Sequence, residues 1–423
     1  MPAYSNHSRS TKRRFAWLST FLIGVIYSTP SEGKDWLQWR GTKRDSQASP
    51  MPVWPHRLSD GTLRKQWSVA LGPSYSGPIV SGQRVFVTET LDAAKEMVYA
   101  LDRRSGEKLW ESGWDGAMKV PFFAAANGSW IRATPACDGK RLFVAGIRDV
   151  LVCLDVESGD QLWQIDFVER YATALPMFGF ASSPMIVGDH VYVQAGESLV
   201  KLDAKTGESV WRTAVNSGDD HRSPFSSPTF VQLAGREQIL LQTRTELKGI
   251  APETGAELWS QEIQAFRGMN ILTPTVYGDS VFTSAHSGKA QLWNVIAAND
   301  GSQVIAEQWS NKAKAYMSSP VVIGDHVYLH LQNQRFCCLN LQTGEQTWRT
   351  KPFGKYWSMV AQGDKILALE ERGELLLIRA NPDEFELLDR HDVQGSSTWA
   401  HLAVCGGQVF VRSLDALTVY AWE

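Results

Sequence analysis

The sequence predicts an all-β chain folded as an eight-bladed β-propeller of four-stranded antiparallel blades, and three observations carry that reading. One hairpin with a tryptophan on its return strand is rewritten along most of the 423 residues. A second hairpin with a glycine turn precedes each copy. No helical period interrupts the strands, and self-similarity at a period of 20–50 residues marks stacked supersecondary units.

The tryptophan hairpin reads YALDRRSGEKLW, VCLDVESGDQLW, VKLDAKTGESVW, KGIAPETGAELW and CCLNLQTGEQTW, ending at Trp110, Trp163, Trp211, Trp259 and Trp348. Trp309 closes a looser copy without the turn signature. In the Leu199–Trp211 copy, the alternating run before Asp203 is a strand with one buried face. Asp203 can bond its side chain into the turn, and Gly207 supplies the left-handed backbone that closes it. Trp211 can bury about 150–250 Å² against its neighbours. The turn is therefore a folding device and needs no cofactor.

The preceding hairpin appears as SSPMIVGDHVYV from Ser182 and SSPVVIGDHVYL from Ser318, with variants from Ser76, Ala133 and Leu272. Two strands joined by a glycine turn make a hairpin, so each period holds four strands. Full blades start near Ser76, Arg132, Ser182, Ser226, Leu272, Ser318 and Trp357, and three strands remain before Glu423. The unused strand from Arg64 to Leu71, with Trp67 in the fourth-strand slot, completes the last blade against Leu417–Trp422. Such closure removes open sheet edges. A seven-bladed ring is the alternative, because the blades holding Lys248 and Trp293 are irregular.

Composition limits the function classes. A formal charge of −3 lacks the clustered positive charge of a nucleic-acid footprint, so no nucleic-acid partner is expected. Lys12, Arg13 and Arg14 precede an apolar run from Phe15 to Tyr27 and then small polar residues. That order reads as an export signal, cleaved between Ser28 and Gly33. The apolar run is shorter than the roughly 20 residues a spanning helix needs. The expected organisation is a signal peptide over residues 1–33, a leader over 34–63 and the propeller over 64–423. The mature chain is expected to be a monomer in the periplasm or outside the cell, not transmembrane; retention of the N-terminal segment as an anchor is the alternative. The five cysteines, Cys137, Cys153, Cys337, Cys338 and Cys405, show no disulfide framework.

The repeated LD-x-x-TG-x-x-x-W motif, with the leader DWLQWRG at Asp35–Gly41, resembles the pyrroloquinoline quinone (PQQ)-like repeat family, in particular its secreted bacterial propeller-only members. That family contains quinoprotein dehydrogenases, the propeller lipoprotein of the outer-membrane barrel-assembly machinery, and members without known activity. The resemblance implies the eight-bladed fold. In the dehydrogenase branch it would further imply PQQ on an aromatic plane, a Ca²⁺ held by carboxylate and amide oxygens, an Asp base and a vicinal disulfide. Cys337 and Cys338 are vicinal, but the repeat alignment puts both on a routine third strand, pointing to opposite faces. No Ca²⁺ cluster is discernible in the sequence, so no cofactor is expected; PQQ with Ca²⁺ is the alternative.

Other catalytic signatures are missing: HExxH, Walker A, G-x-S-x-G and Cys/His zinc spacings do not occur. No catalytic or metal-binding residue is assigned. His190 and His326 occupy equivalent Gly-Asp-His turns, and Asp219–Asp220–His221–Arg222 reads as a solvated loop, with a metal or proton-transfer site as the alternative.

The geometry of a propeller localises any function. Gly-Asp and Thr-Gly turns share one face, and the connections between blades form the other. Those connections carry Trp130, Arg132, Phe180, His221, Arg222, Phe266, Arg267, Tyr316, Tyr356, Trp357 and Trp399, the candidate residues for a ligand or protein partner. Alternatively Phe122, Phe123, Phe178 and Phe180 fold back and plug the funnel. The chain is read as a non-catalytic binding or scaffolding module of the cell envelope. A PQQ-dependent oxidoreductase and an outer-membrane assembly factor are the alternatives.

Overall fold

Alternating apolar strands of two to nine residues, each ended by a turn, fold into eight four-stranded antiparallel sheets set round a ring. The computed structural model describes residues 1–4, 35–215, 224–393 and 395–422. The segments read as an export signal, together with the Asp219–Arg222 cluster, lie outside the described residues.

Blade 1 shows the plan: Ile79–Ser81 lies innermost, followed outward by Arg84–Leu91, Lys95–Asp102 and Lys108–Asp115. Six more blades repeat it, beginning at Ala136, Met185, Thr229, Thr275, Val321 and Trp357. Blade 8 takes Ala403–Cys405, Gln408–Arg412 and Ala416–Trp422 from the C-terminus and its outermost strand, Leu63–Ala70, from the N-terminus. That last pair runs antiparallel from Leu63 opposite Trp422 to Ala70 opposite Ala416, so the ring closes as the sequence predicts.

The core lies between neighbouring sheets. Phe143, Leu151 and Cys153 of blade 2 bury against Val191, Val193 and Val200 of blade 3. Cys337 faces blade 5 and Cys338 faces blade 7, each buried as a free thiol in a different apolar cluster. Alternation along Arg335–Asn340 forces this separation.

One joint recurs. Each Thr-Gly or Ser-Gly turn places a glycine at positive φ, and the tryptophan of the preceding blade lies on it. A Cβ at Gly106, Gly159, Gly207, Gly255 or Gly344 would sit 2.5–2.9 Å from Trp67, Trp110, Trp163, Trp211 or Trp309 respectively. The same indoles donate to backbone carbonyls of that turn, as from Trp67 to Arg103 at 3.0 Å and from Trp110 to Val156 at 2.9 Å. The turn itself is held by its acid: Asp203 accepts from the Lys205 and Thr206 amides at 2.9 and 2.8 Å.

Blade 5 lacks the motif. The Trp259 indole of blade 4 therefore donates to Gln238 of its own blade at 2.7 Å. The outer strand of blade 7, Glu386–Asp392, has no tryptophan at all. There the leader fills the joint: the Leu58 and Ser59 amides and the Ser59 hydroxyl all donate to Asp389, at 2.7–2.9 Å. Trp54 packs edge-on to Trp422 beside them.

Truncation of Trp67 tests the closure. Trp67→Ala removes both the closing indole and its bond to Arg103, and is expected to cost about 3–5 kcal/mol, the usual range for a buried tryptophan. Deleting residues 416–422 should lower the melting temperature further, and a parental melting temperature in either variant would refute closure by this strand pair.

Two buried carboxyl groups add a pH dependence. Burial pushes Glu96 up to about 7, against the pull of the Ile147 amide and the Trp114 indole, each at 2.8 Å. Burial also pushes Asp149 up to about 7, against the Gly196 amide at 2.7 Å. A carboxyl raised on folding contributes stability that is complete below its unfolded pKa and lost as pH rises through its folded one. These two groups therefore contribute a fall in melting temperature between about pH 5 and 8, against the rise that the depressed His330 and His401 contribute up to about pH 6.5. Glu96→Gln should flatten that slope whatever it does to absolute stability; an unchanged slope would contradict the assignment.

Candidate functional site

The first residues of the inner strands build the wall of a central channel. Proline follows the channel-facing position in most blades (Pro78, Pro135, Pro184, Pro228, Pro274 and Pro320), which fixes an extended backbone just before it. The hydroxyl residues at that position link the blades. The Gly77 amide donates to Thr134, Thr134 to Ser183, Ser183 to Ser227, Ser227 to Thr273 and Thr273 to Ser319, at 2.9–3.2 Å. The direction reverses past blade 6, where the Trp357 amide donates to Ser318 and the Leu402 amide to Ser358. Gly77 itself is required by closeness, since a Cβ there would lie 2.5 Å from the His401 carbonyl oxygen.

The leader closes this channel at the turn face. It bridges Val80 through Trp36 and Ala361 through Gln47, crossing from blade 1 to blade 7. Arg40 donates to Ser46 at 2.6 Å and to the Pro320 carbonyl; Arg44 donates to the Pro184 and Ser183 carbonyls at 2.7 and 3.1 Å. Both guanidinium groups are buried, and desolvation lowers them to about 10 and about 9. They flank the Trp39 ring at 5.5 and 5.6 Å, and Trp39 forms the floor of the space above.

That space is a blind funnel of about 450 Å³, opening on the face of the interblade connections. Its chemistry is unusually one-sided. Nine aromatic rings line it, among them Trp39, Tyr75 stacked on Trp399 at 4.9 Å, and Phe178 tilted against Phe225 at 5.6 Å. Arg132, Arg244 and Arg267 supply positive charge, while no Asp or Glu occurs among the described lining residues. Arg132 lies over the Tyr75 ring and donates to the Gly128 carbonyl at 2.8 Å, while its buried Nε has no acceptor in the structure. Arg244 lies 4.7 Å over Phe225 and donates to the Arg267 carbonyl at 2.5 Å. Burial and the nearby Arg40 push His401 down to about 3, so its ring is neutral. Its Nδ1 donates to the Leu402 carbonyl at 2.9 Å, which leaves Nε2 as an acceptor.

Of the sequence-derived candidates, Arg132, Phe266, Arg267, Tyr316, Tyr356 and Trp399 all line this funnel. Trp130 stands behind the wall, 5.3 Å from Tyr75. Phe180 and Trp357 are not brought to it. Phe180 packs against Phe167 in the core between blades 2 and 3. Trp357 opens a strand whose residues are all buried, and stacks on His330 at 5.1 Å. His221 and Arg222 lie outside the described residues. Of the phenylalanines read as a plug, Phe123 and Phe178 line the mouth, Phe122 projects into solvent, and the funnel stays open. The sequence reading omitted Trp39, Tyr75, Arg244 and His401. Two tryptophans and two arginines within nine residues of the leader were the available signal for the first.

Metal chemistry finds little to use. No group of three or more His, Cys, Asp or Glu that could hold a metal ion occurs among the described residues. No helix of the described residues is long and apolar enough to cross a membrane.

Comparison with known proteins agrees with this architecture. The family model for the outer membrane protein assembly factor BamB matches residues 94–350. BamB of Yersinia pestis is 24% identical over 268 residues, covering 57% of this chain and 64% of that protein, just under two thirds of the relative's length. The crystal structure of BamB from Moraxella catarrhalis superposes with a TM-score of 0.63 at 16% identity, over 85% of this chain and all of that one. A europium-containing methanol dehydrogenase gives 0.65 at 14% identity, over 93% and 99% of the two chains. At such identities the structures speak for the fold, while the family match spans well over half of the chain. The chain belongs to the family of the outer membrane protein assembly factor BamB, one of PQQ-like repeat β-propellers.

Proposed function

We propose that this chain is an exported, non-catalytic binding module that takes its ligand or protein partner in the blind funnel. The observation that carries the reading is the described lining itself: aromatic rings and arginines, closed below by the leader, without a carboxylate. A site built this way can hold and orient a ligand, and its described lining offers no carboxylate to act as a general base.

The residues present do not fit PQQ with Ca²⁺ as a catalytic group. Trp39 offers a plane and the arginines could meet carboxylates. The described residues, however, supply no metal-holding cluster, and the vicinal thiols point into two separate cores. An oxidoreductase role therefore lacks support from this donor set. A second reading, a part in outer-membrane protein assembly, is favoured by the family match. Under it the funnel's partner is a polypeptide.

Two measurements test the proposal. Titration of the purified protein with PQQ and Ca²⁺ should give no stoichiometric absorption change and no dye reduction with alcohols or aldoses. Saturable quinone binding with turnover would overturn the non-catalytic reading. Separately, p-benzoylphenylalanine placed at Phe266 should yield a discrete adduct on irradiation of native cells, while the same residue at Lys205 on the turn face should not. The adduct's mass should show a mature N-terminus between Ser28 and Gly33. Adducts only from Lys205 would mean the wrong face, and an intact Met1 or Pro2 start in the cytosol would refute export.

A further inference from the structure

We infer that the funnel's partner is a polypeptide segment bearing carboxylates between apolar residues, inserted into the mouth as a loop or chain end. This rests on the reading of the funnel as a binding site and goes on to its chemistry. Two independent observations carry it, one inside the cavity and one outside.

Inside, the described wall offers mainly donors. The Thr134, Ser183 and Ser227 oxygens already accept backbone amides, so their O–H groups remain to donate, and they line the funnel. Arg132 presents a buried Nε with no acceptor, within a side chain held by Gly128 and Tyr75. A buried guanidinium donor without an acceptor is costly, and a carboxylate is the group that matches its geometry and charge. A neutral ligand would leave the charge of the Arg132 guanidinium unmatched, whereas a carboxylate meets it.

Outside, the mouth carries apolar surface that a small molecule cannot cover. The 3₁₀ turn Phe122–Asn127 has no buried residue. Phe122 is 92% exposed and does not line the cavity, while Phe123 and Phe266 at the rim are 60% and 51% exposed. A compact anion seated on Trp39 would leave Phe122 in water. A chain entering the funnel passes over this crest and buries it. Anion recognition in the cavity with an apolar crest around it therefore selects acidic residues flanked by apolar ones.

Panning a random octapeptide display library on the full-length protein tests this. Enrichment of Asp and Glu beside Leu, Phe or Trp, relative to the unpanned pool, is expected. Replacing the carboxylates of an enriched peptide by amides should weaken it at least about tenfold, as loss of a charge-assisted pair predicts. Arg132→Met should abolish the enrichment. Arg267→Gln, at a more exposed side chain, should weaken it with the melting temperature kept and so guards against a folding defect. Phe122→Ser should weaken the peptides but leave benzoate binding unchanged. Enrichment of neutral or basic sequences, or none, overturns this inference; if the Phe266 cross-link persists, the funnel remains a binding site of other chemistry. Peptides displaced by equimolar benzoate, with Phe122→Ser silent, would make the ligand a small anion and the polypeptide assignment wrong.

Discussion

An indole lying flat on a glycine, and bonded to the carbonyl of the turn that glycine closes, sets the distance between neighbouring blades. The contact needs a residue without Cβ at positive φ, because any side chain at Gly159 or Gly344 would enter the ring of Trp110 or Trp309. In most copies an Asp or Asn pins the turn whose carbonyl accepts the indole, while Ala251 stands in that slot where Trp211 bonds the Pro252 carbonyl. The glycine contact and the indole bond together explain why Gly and Trp recur at fixed spacing. Where the motif lapses the partner changes: Trp259 turns to Gln238, Trp348 keeps a carbonyl bond to Asn381 in a turn without glycine, and the blade 7–8 joint, which lacks the tryptophan, is filled from the leader. Blade spacing therefore survives three lapses in the repeat because other groups take the same space.

Equal spacing at the rim has a consequence at the axis. The eight inner strands approach closely enough for hydroxyls before the prolines to accept amides from the adjoining blade. Backbone donors that would otherwise face an empty channel are thus satisfied by side chains, as buried donors must be. Thr134, Ser183 and Ser227, which accept these amides, also line the funnel, where arginines and aromatic rings from the connecting loops join them.

Much of the architecture was legible because it is local. The four-strand period, the turn acids and the closing pair of Leu63–Ala70 with Ala416–Trp422 follow from patterns within a dozen residues. The cavity was only partly legible. Arg132, Phe266 and Trp399 could be placed by counting to the connection before each inner strand, and they line the funnel. The same count also selected Trp357 and Phe180, which alternation and loop path turn into the core. Trp39 and His401 could not be found by counting. Trp39 reaches the axis only because the leader crosses the ring, a path set by contacts with blades more than 300 residues away, such as Ala48 to Ala361. His401 ends in the wall because blade 8 crowds blade 1 at Gly77.

The leader is therefore part of the site rather than a tether to it. Arg40 and Arg44 lie beneath Trp39, in surroundings dry enough to depress both guanidinium groups, and they are bonded mostly to carbonyls rather than to carboxylates. Positive charge in low-dielectric surroundings is screened little, so it adds to the field that Arg132 and Arg244 supply from the funnel wall. The whole chain carries a formal charge of −3, so this field is a local feature of the axis and not of overall composition. Burial keeps the His401 ring neutral, and Arg40 adds to that by opposing a second charge there. A propeller with the same blades but without these leader residues would have a through-channel and a weaker field. The short segment 36–44 thus both closes the funnel from below and places buried positive charge beneath its floor.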